Sequence, residues 1–175
     1  MLVDPGWDGA GQTASPPVDV IVGGWELRGD GSTGPFRPNP RYRPSASTVP
    51  TDPIDAVLRL LAAGQQRGPD LVDAIRDSIV EIGCDEHGRP LLGTAPDNTP
   101  CVVVATAELQ KARVDVDRWI PVHGSALTDI IPVGADILLN PAGIAPFRLR
   151  TDTLRSAATH EHGRDTQRAG DNNHA

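Results

Sequence analysis

The run Thr51-Asp-Pro-Ile-Asp-Ala-Val-Leu-Arg-Leu-Leu-Ala-Ala-Gly64 carries every local signal for a helix. Asp52 is placed to cap it, Pro53 stands at the first helical position, and Gly64 suits its C-terminal end. Ile54, Val57, Leu58 and Leu61 fall on one stripe, so the helix expected over Pro53–Ala63 has a single face to bury. A second helix is expected from Pro69 or Asp70, with Leu71, Val72, Ile75 and Ile79 on its apolar side. Near Ile79–Cys84 it gives way to a strand, because β-branched residues favour extension.

Downstream, Asp85-Glu-His-Gly88 reads as a turn and Arg89–Leu92 as the return strand of a hairpin, with Thr94–Pro100 a polar loop. Cys101–Ala105 is a buried strand by its unbroken apolar run. Thr106 is placed to cap a short helix over Ala107–Ala112, and Ser125 to cap another that runs to Ile131. Trp119–Val122 is a strand between them, and Gly134–Leu139 and Ile144–Arg150 flank a turn at Asn140-Pro-Ala-Gly143. Upstream, Val18–Leu27 reads as a strand whose Gly23-Gly24 marks a bulge or close packing. A hairpin turn at Gly29–Gly34 leads to a short strand near Pro35–Arg37, and prolines at 35, 38, 40, 44 and 50 then favour an extended arm.

The expected class is α+β: a mixed, largely antiparallel sheet with two adjacent helices and two short helices. Residues 18–155 form one domain, 1–17 a partly ordered segment, and 156–175 a disordered polar tail with little apolar surface to offset ordering entropy.

Composition narrows the function. A net charge of −7, with Lys111 the sole lysine among 16 basic residues, argues against nucleic acid, whose phosphates call for clustered cations. No apolar run approaches the ~20 residues of a membrane span, so no membrane insertion is expected. Met1-Leu-Val-Asp-Pro-Gly lacks the basic and apolar regions of a signal peptide, and two cysteines are too few for a disulfide scaffold. The expectation is a cytoplasmic protein with reduced thiols.

Four patterns touch on chemistry, each beside a plainer explanation. Gly29-Asp-Gly-Ser-Thr-Gly34 matches a dinucleotide fingerprint, but Pro35-Phe-Arg-Pro38 blocks the helix such a site needs, so it reads as a turn. His123, Ser125 and Asp129 are triad residue types close in sequence, which is no sign of a triad assembled in space. Cys84, His87 and Cys101 provide only one C-x-x-H pair, whereas structural zinc wants four ligands in paired spacings; buried thiols explain the cysteines better. Asp70, Asp73 and Asp77 at helical spacing make a solvated acidic face. No cofactor, metal or catalysis is expected. Trp25, Trp119 and Phe147 are read as core anchors.

The arm is different. Phe36, Arg37, Arg41, Tyr42 and Arg43 combine arginines with aromatics on an extended, proline-fixed segment, a mixture enriched at protein interfaces. Two readings are open: the arm binds a partner protein, or it packs across its own domain.

Several runs taken in order resemble the type VII secretion system-associated proteins of actinobacteria, which contain an SseB-type domain. They are Leu2-Val-Asp-Pro5, Val22-Gly-Gly-Trp-Glu26, Phe36-Arg-Pro-Asn-Pro-Arg-Tyr-Arg-Pro-Ser45 and Thr51-Asp-Pro-Ile-Asp-Ala56, then Asp85-Glu-His-Gly-Arg-Pro90, Val102–Ala107, Trp119–Val122 and Leu139-Asn-Pro-Ala-Gly143. The similarity covers roughly residues 1–155, and the FRPNPxYxPS run with the following TDPxDA is its most specific part. One departure is Thr106-Ala107, where such proteins usually carry Thr-Ser. The resemblance implies a cytoplasmic accessory protein, adaptor or chaperone-like, whose partner is a type VII secretion component or substrate. It implies no catalytic residues. A different expectation is an immunity protein, since an acidic domain complements a basic toxin.

Overall fold

A computed structural model of the chain describes residues 1–9, 15–95, 97–112 and 114–156. The segment read as a tail therefore lies, past Ser156, outside the described residues.

The first helix, α1 (Pro53–Ala62), starts as its sequence dictates. The Asp52 carboxylate accepts the Ile54 and Asp55 amides at 2.9 and 3.0 Å, satisfying two of the donors that a helix start leaves open. It ends at Gly64, whose φ of +82° suits a residue without a Cβ. The second, α2 (Gly68–Arg76), carries Leu71, Val72 and Ile75 on its buried side. Ile79 belongs to the following strand, not to this helix.

Four strands, β4 (Ile79–Cys84), β6 (Pro100–Ala105), β7 (Arg118–His123) and β8 (Asp136–Leu139), together with β9 (Phe147–Leu149), form a sheet in the order β7-β4-β6-β8-β9. All its pairs are antiparallel except β6–β8. Helices α1 and α2 cover one face: Ile54, Leu58, Leu71 and Ile75 pack on Val80, Ile82, Val102, Val104, Ile137 and Leu139, each 1 % exposed or less. The alternation along β4 explains the choice of face, with Val80 and Ile82 turned in and Glu81 only half-buried on the other side.

The return strand after Gly88 does not zip along β4. A single bridge joins Cys84 to Pro90, after which β5 (Leu92–Thr94) pairs with β6 instead, so that Thr94 and Pro100, the ends of the expected polar loop, are paired strand residues. Pro90 sits at a position of this bridge that needs no amide, and the Asp85 and Leu91 amides on either side of it donate to the Arg89 and Gly83 carbonyls, both at 2.9 Å.

A smaller sheet holds β1 (Leu2–Val3), β2 (Ile21–Leu27) and β3 (Thr33–Pro38) in that order, all antiparallel. It joins the main body where the Phe36 amide donates to the Asp77 carbonyl at 2.6 Å. Gly23 is required by close packing: a Cβ there would meet the Phe36 ring and the Arg37 carbonyl. The fold is thus α+β, with two adjacent helices, short helices α3 (Glu108–Lys111) and α4 (Leu127–Ile130), and a mixed, mostly antiparallel main sheet.

Two capping expectations fail. Neither Ala107 at the start of α3 nor Ala126 at the start of α4 gives a side-chain cap. Thr106 is recruited elsewhere, and a 3-10 turn at Gly124–Ala126 precedes α4, capped by His123 rather than by Ser125.

Candidate functional site

The arm packs across its own domain. The Asn39 side chain donates to the Val18 and Ile21 carbonyls at 2.6 and 2.8 Å, its amide donates to Val22, and the Arg43 amide donates to Asp19. Phe36 and Tyr42 are therefore not available to a partner: they are 2 % and 3 % exposed and form a small core with Val22. Burying two rings against β2 removes more apolar surface from water than leaving them on a projecting arm. The Phe36 ring meets Trp25 edge-on with centroids 5.0 Å apart, and it is Phe36 that anchors the small sheet, while Trp25 stays exposed.

Beneath the arm lies Asp4, buried within the segment 1–17 that the sequence marks as only partly ordered. Its carboxylate accepts the Tyr42 hydroxyl at 2.6 Å, the Ser45 hydroxyl and amide at 2.6 and 3.0 Å, and the Gly6 amide at 2.7 Å. Burial pushes this carboxyl up, but those four bonds outweigh it and hold it down at about 2. Burial and the adjacent carboxylate push the Tyr42 phenol in the opposite direction, upward.

The arginines of the arm face outward. Arg43 is partly engaged, its guanidinium donating to the Tyr42 carbonyl at 2.7 Å and to Pro40 at 3.3 Å. Arg37 and Arg41 are exposed, and neither guanidinium has a hydrogen-bond or ion-pair partner among the described residues. Arg37 lines a cleft of about 260 Å³ between Pro38 and Pro40 of the arm and Ile79, Glu81 and Pro121 of the open sheet face. On the far side of that cleft Lys111 bridges Glu81 at 2.5 Å and Glu108 at 2.6 Å.

A second polar hub lies inside. Besides capping α1, Asp52 accepts the Thr51 hydroxyl at 2.8 Å and the Thr106 hydroxyl at 2.7 Å. Thr106 is gripped from the other side by Asn140, through its amide at 3.0 Å and its hydroxyl at 2.9 Å. Gln110 donates to Thr51 at 2.8 Å. The network fastens the start of α1 to the C-terminal ends of β6 and β8, the parallel pair. Burial, aided by the neighbouring Asp55 charge, pushes the Asp52 carboxyl up against the pull of its hydrogen bonds. Asp55 itself is paired with Arg59 at 2.9 Å. No buried side-chain nitrogen or oxygen among the described residues is left without a partner.

His123 and Ser125 do meet, with Ser125 Oγ 2.7 Å from His123 Nδ1. The Ser125 amide also donates to Nδ1 at 3.3 Å, so the imidazole serves as the cap of the 3-10 turn. Asp129 makes no hydrogen bond to it, and among the described residues no carboxylate orients this pair as a triad requires. Both residues border an open polar cleft of about 450 Å³ with Asp73, Arg76 and Asp77. Cys84 and Cys101 lie buried in β4 and β6, where burial raises both thiols. Among the described residues no group of His, Cys, Asp and Glu is arranged to hold a metal, and no helix is long and apolar enough to cross a membrane.

Of the expected partner-binding residues, then, Arg37, Arg41 and Arg43 are on the surface and Phe36 and Tyr42 are scaffold. Local sequence gives no sign that Asp4, Asp52, Thr106 and Asn140 are hubs, because the partners that make them so are 34 to 54 residues away. The chain matches no protein-family model, no curated protein and no solved structure.

Proposed function

We propose that this chain is an interaction protein, an adaptor or chaperone-like accessory of a type VII secretion system, working through its surface rather than by catalysis. The observation that carries the reading is the arm: its backbone is tied down at Asn39, Tyr42, Arg43 and Ser45, yet the Arg37 and Arg41 guanidiniums project from it without a partner among the described residues. A fixed backbone lowers the ordering entropy lost on association, and free guanidiniums make planar contacts to carboxylates. The residues that carry the family resemblance support the same reading. The Leu2–Pro5 and Phe36–Ser45 runs build the Asp4 hub that holds this arm, and the Thr51–Ala56 run supplies the Asp52 hub that fastens α1 to the core.

The test is an affinity capture from the native host with mass-spectrometric identification, comparing the wild type with Arg37→Glu/Arg41→Glu. The expected result is recovery of secretion components by the wild type and their loss from the double variant. Equal recovery by both would remove the arm from the interface. A captured toxin, with no secretion component, would replace the adaptor with an immunity protein.

A further inference from the structure

The two edges of the main sheet are unlike. β7 carries Pro121, which withdraws a backbone donor from any strand that would add there. β9 has no proline; it ends the strand order, and beside it runs an open groove of about 650 Å³ floored by Leu61, Leu71, Val72, Phe147 and Leu149. A sheet edge next to a mostly apolar groove, here bordered by Asp73, Arg148, Arg150 and Thr153, is the arrangement that strand addition uses, with the ladder giving affinity and the groove giving side-chain preference.

Three occupants can be weighed. The chain's own residues 157–175 contain no Val, Ile, Leu, Met or aromatic residue, so they have nothing with which to fill an apolar groove. A second copy added antiparallel about an axis through Arg148 would set that arginine against its own counterpart, a destabilising like-charge pair. A partner segment meets neither objection, and the charges define its chemistry. Arg148 is already held by Asp97 at 2.6 Å and Asp136 at 3.2 Å. Arg150, one residue past the strand, is 73 % exposed and lies 3.9 Å from Asp152, which also serves Arg155 at 3.3 Å.

We propose that the outer edge of β9 and the groove beside it accept an extended segment of a partner protein as an added strand, with apolar side chains at alternate positions and an acidic residue facing Arg150. This rests on the reading of the chain as an interaction protein, though not on the arm. Alternate residues of such a segment fall on the side of Phe147 and Leu149 and enter the groove, while the intervening ones turn away from it.

The probe is a capped peptide alternating valine with glutamate, titrated into the full chain and followed by amide-resolved NMR. Shifts and exchange protection are expected at Phe147–Leu149 and along the groove, with weaker binding of the corresponding valine–lysine peptide. Thr153→Trp places a ring in the groove from an exposed position and is expected to weaken binding about tenfold. Should that variant not fold, Arg150→Glu is expected to reverse the preference between the two peptides. Absence of shifts at β9, an unaltered affinity in Thr153→Trp, or a dimer that Thr153→Trp disperses would each overturn the proposal, the last in favour of a second copy. Affinity capture from the native host separates the two readings. A partner retained equally by wild type and Thr153→Trp sinks only the β9 edge, whereas no partner for either sinks the interaction reading.

Discussion

Asp4 and Asp52 are each 3 % exposed and each accept four hydrogen bonds, yet their carboxyls are driven in opposite directions. Asp4 is covered by little more than the arm that crosses it, and its donors bring it down to about 2. Asp52 lies between α1 and the ends of β6 and β8 with Asp55 beside it, and burial wins. Donor count does not decide the sign. Depth does, since the cost of holding a charge grows as water is removed from around it. The two hubs therefore differ in what they do: the shallow one clasps a surface segment, and the deep one locks a helix to the core.

The largest expected effect comes from breaking the deep hub. Asp52→Ala leaves two helix amides and the Thr51 and Thr106 hydroxyls without an acceptor in the interior, and should cost about 3–5 kcal/mol in chemical denaturation. The same truncation at Asp4 should cost less, about 2–3 kcal/mol, because three of the four donors it strands lie on the exposed residues Gly6 and Ser45 and only the Tyr42 hydroxyl is buried. Its signature is local: faster proteolysis within residues 36–45. Tyr42→Phe removes one bond and should cost about 1–2 kcal/mol while leaving partner capture unchanged. If it impairs capture without loss of stability, Tyr42 belongs to the interface after all.

Acid titration of stability sharpens the contrast further. Asp4 has a folded value below its unfolded 3.8, so its contribution is complete above about pH 4 and is lost as pH falls toward about 2. Asp52 has a folded value above 3.8, so its contribution is greatest below that value and declines as pH rises through it. Asp4→Asn should flatten the acid limb between about pH 4 and 2; Asp52→Asn should remove the decline on the other side. Identical profiles for the two variants would refute the distinction. The smallest effect belongs to Arg37→Ala/Arg41→Ala, which touches neither hub and should leave stability within about 0.5 kcal/mol.

What the residues alone determine here is whatever is settled within about one helical turn. Asp52-Pro53 starts α1 and Gly64 ends it, β4 and β6 are extended where the β-branched runs lie, and a hairpin turn lies between β2 and β3, closed before Thr33, because each signal and its partner are near neighbours in the chain. Thr106 and Tyr42 obey a different rule. By local reading Thr106 caps a helix and Tyr42 either meets a partner or packs across its own domain, yet Asp52 and Asp4, 54 and 38 residues earlier, claim their hydroxyls. A buried donor must find an acceptor, and which acceptor is in reach is fixed only once β6 lies beside β8 and the arm lies over β2. That choice also sent Phe36 and Tyr42 inward and left Arg37 and Arg41 outside, so only the tertiary structure decided which half of the arm a partner could touch.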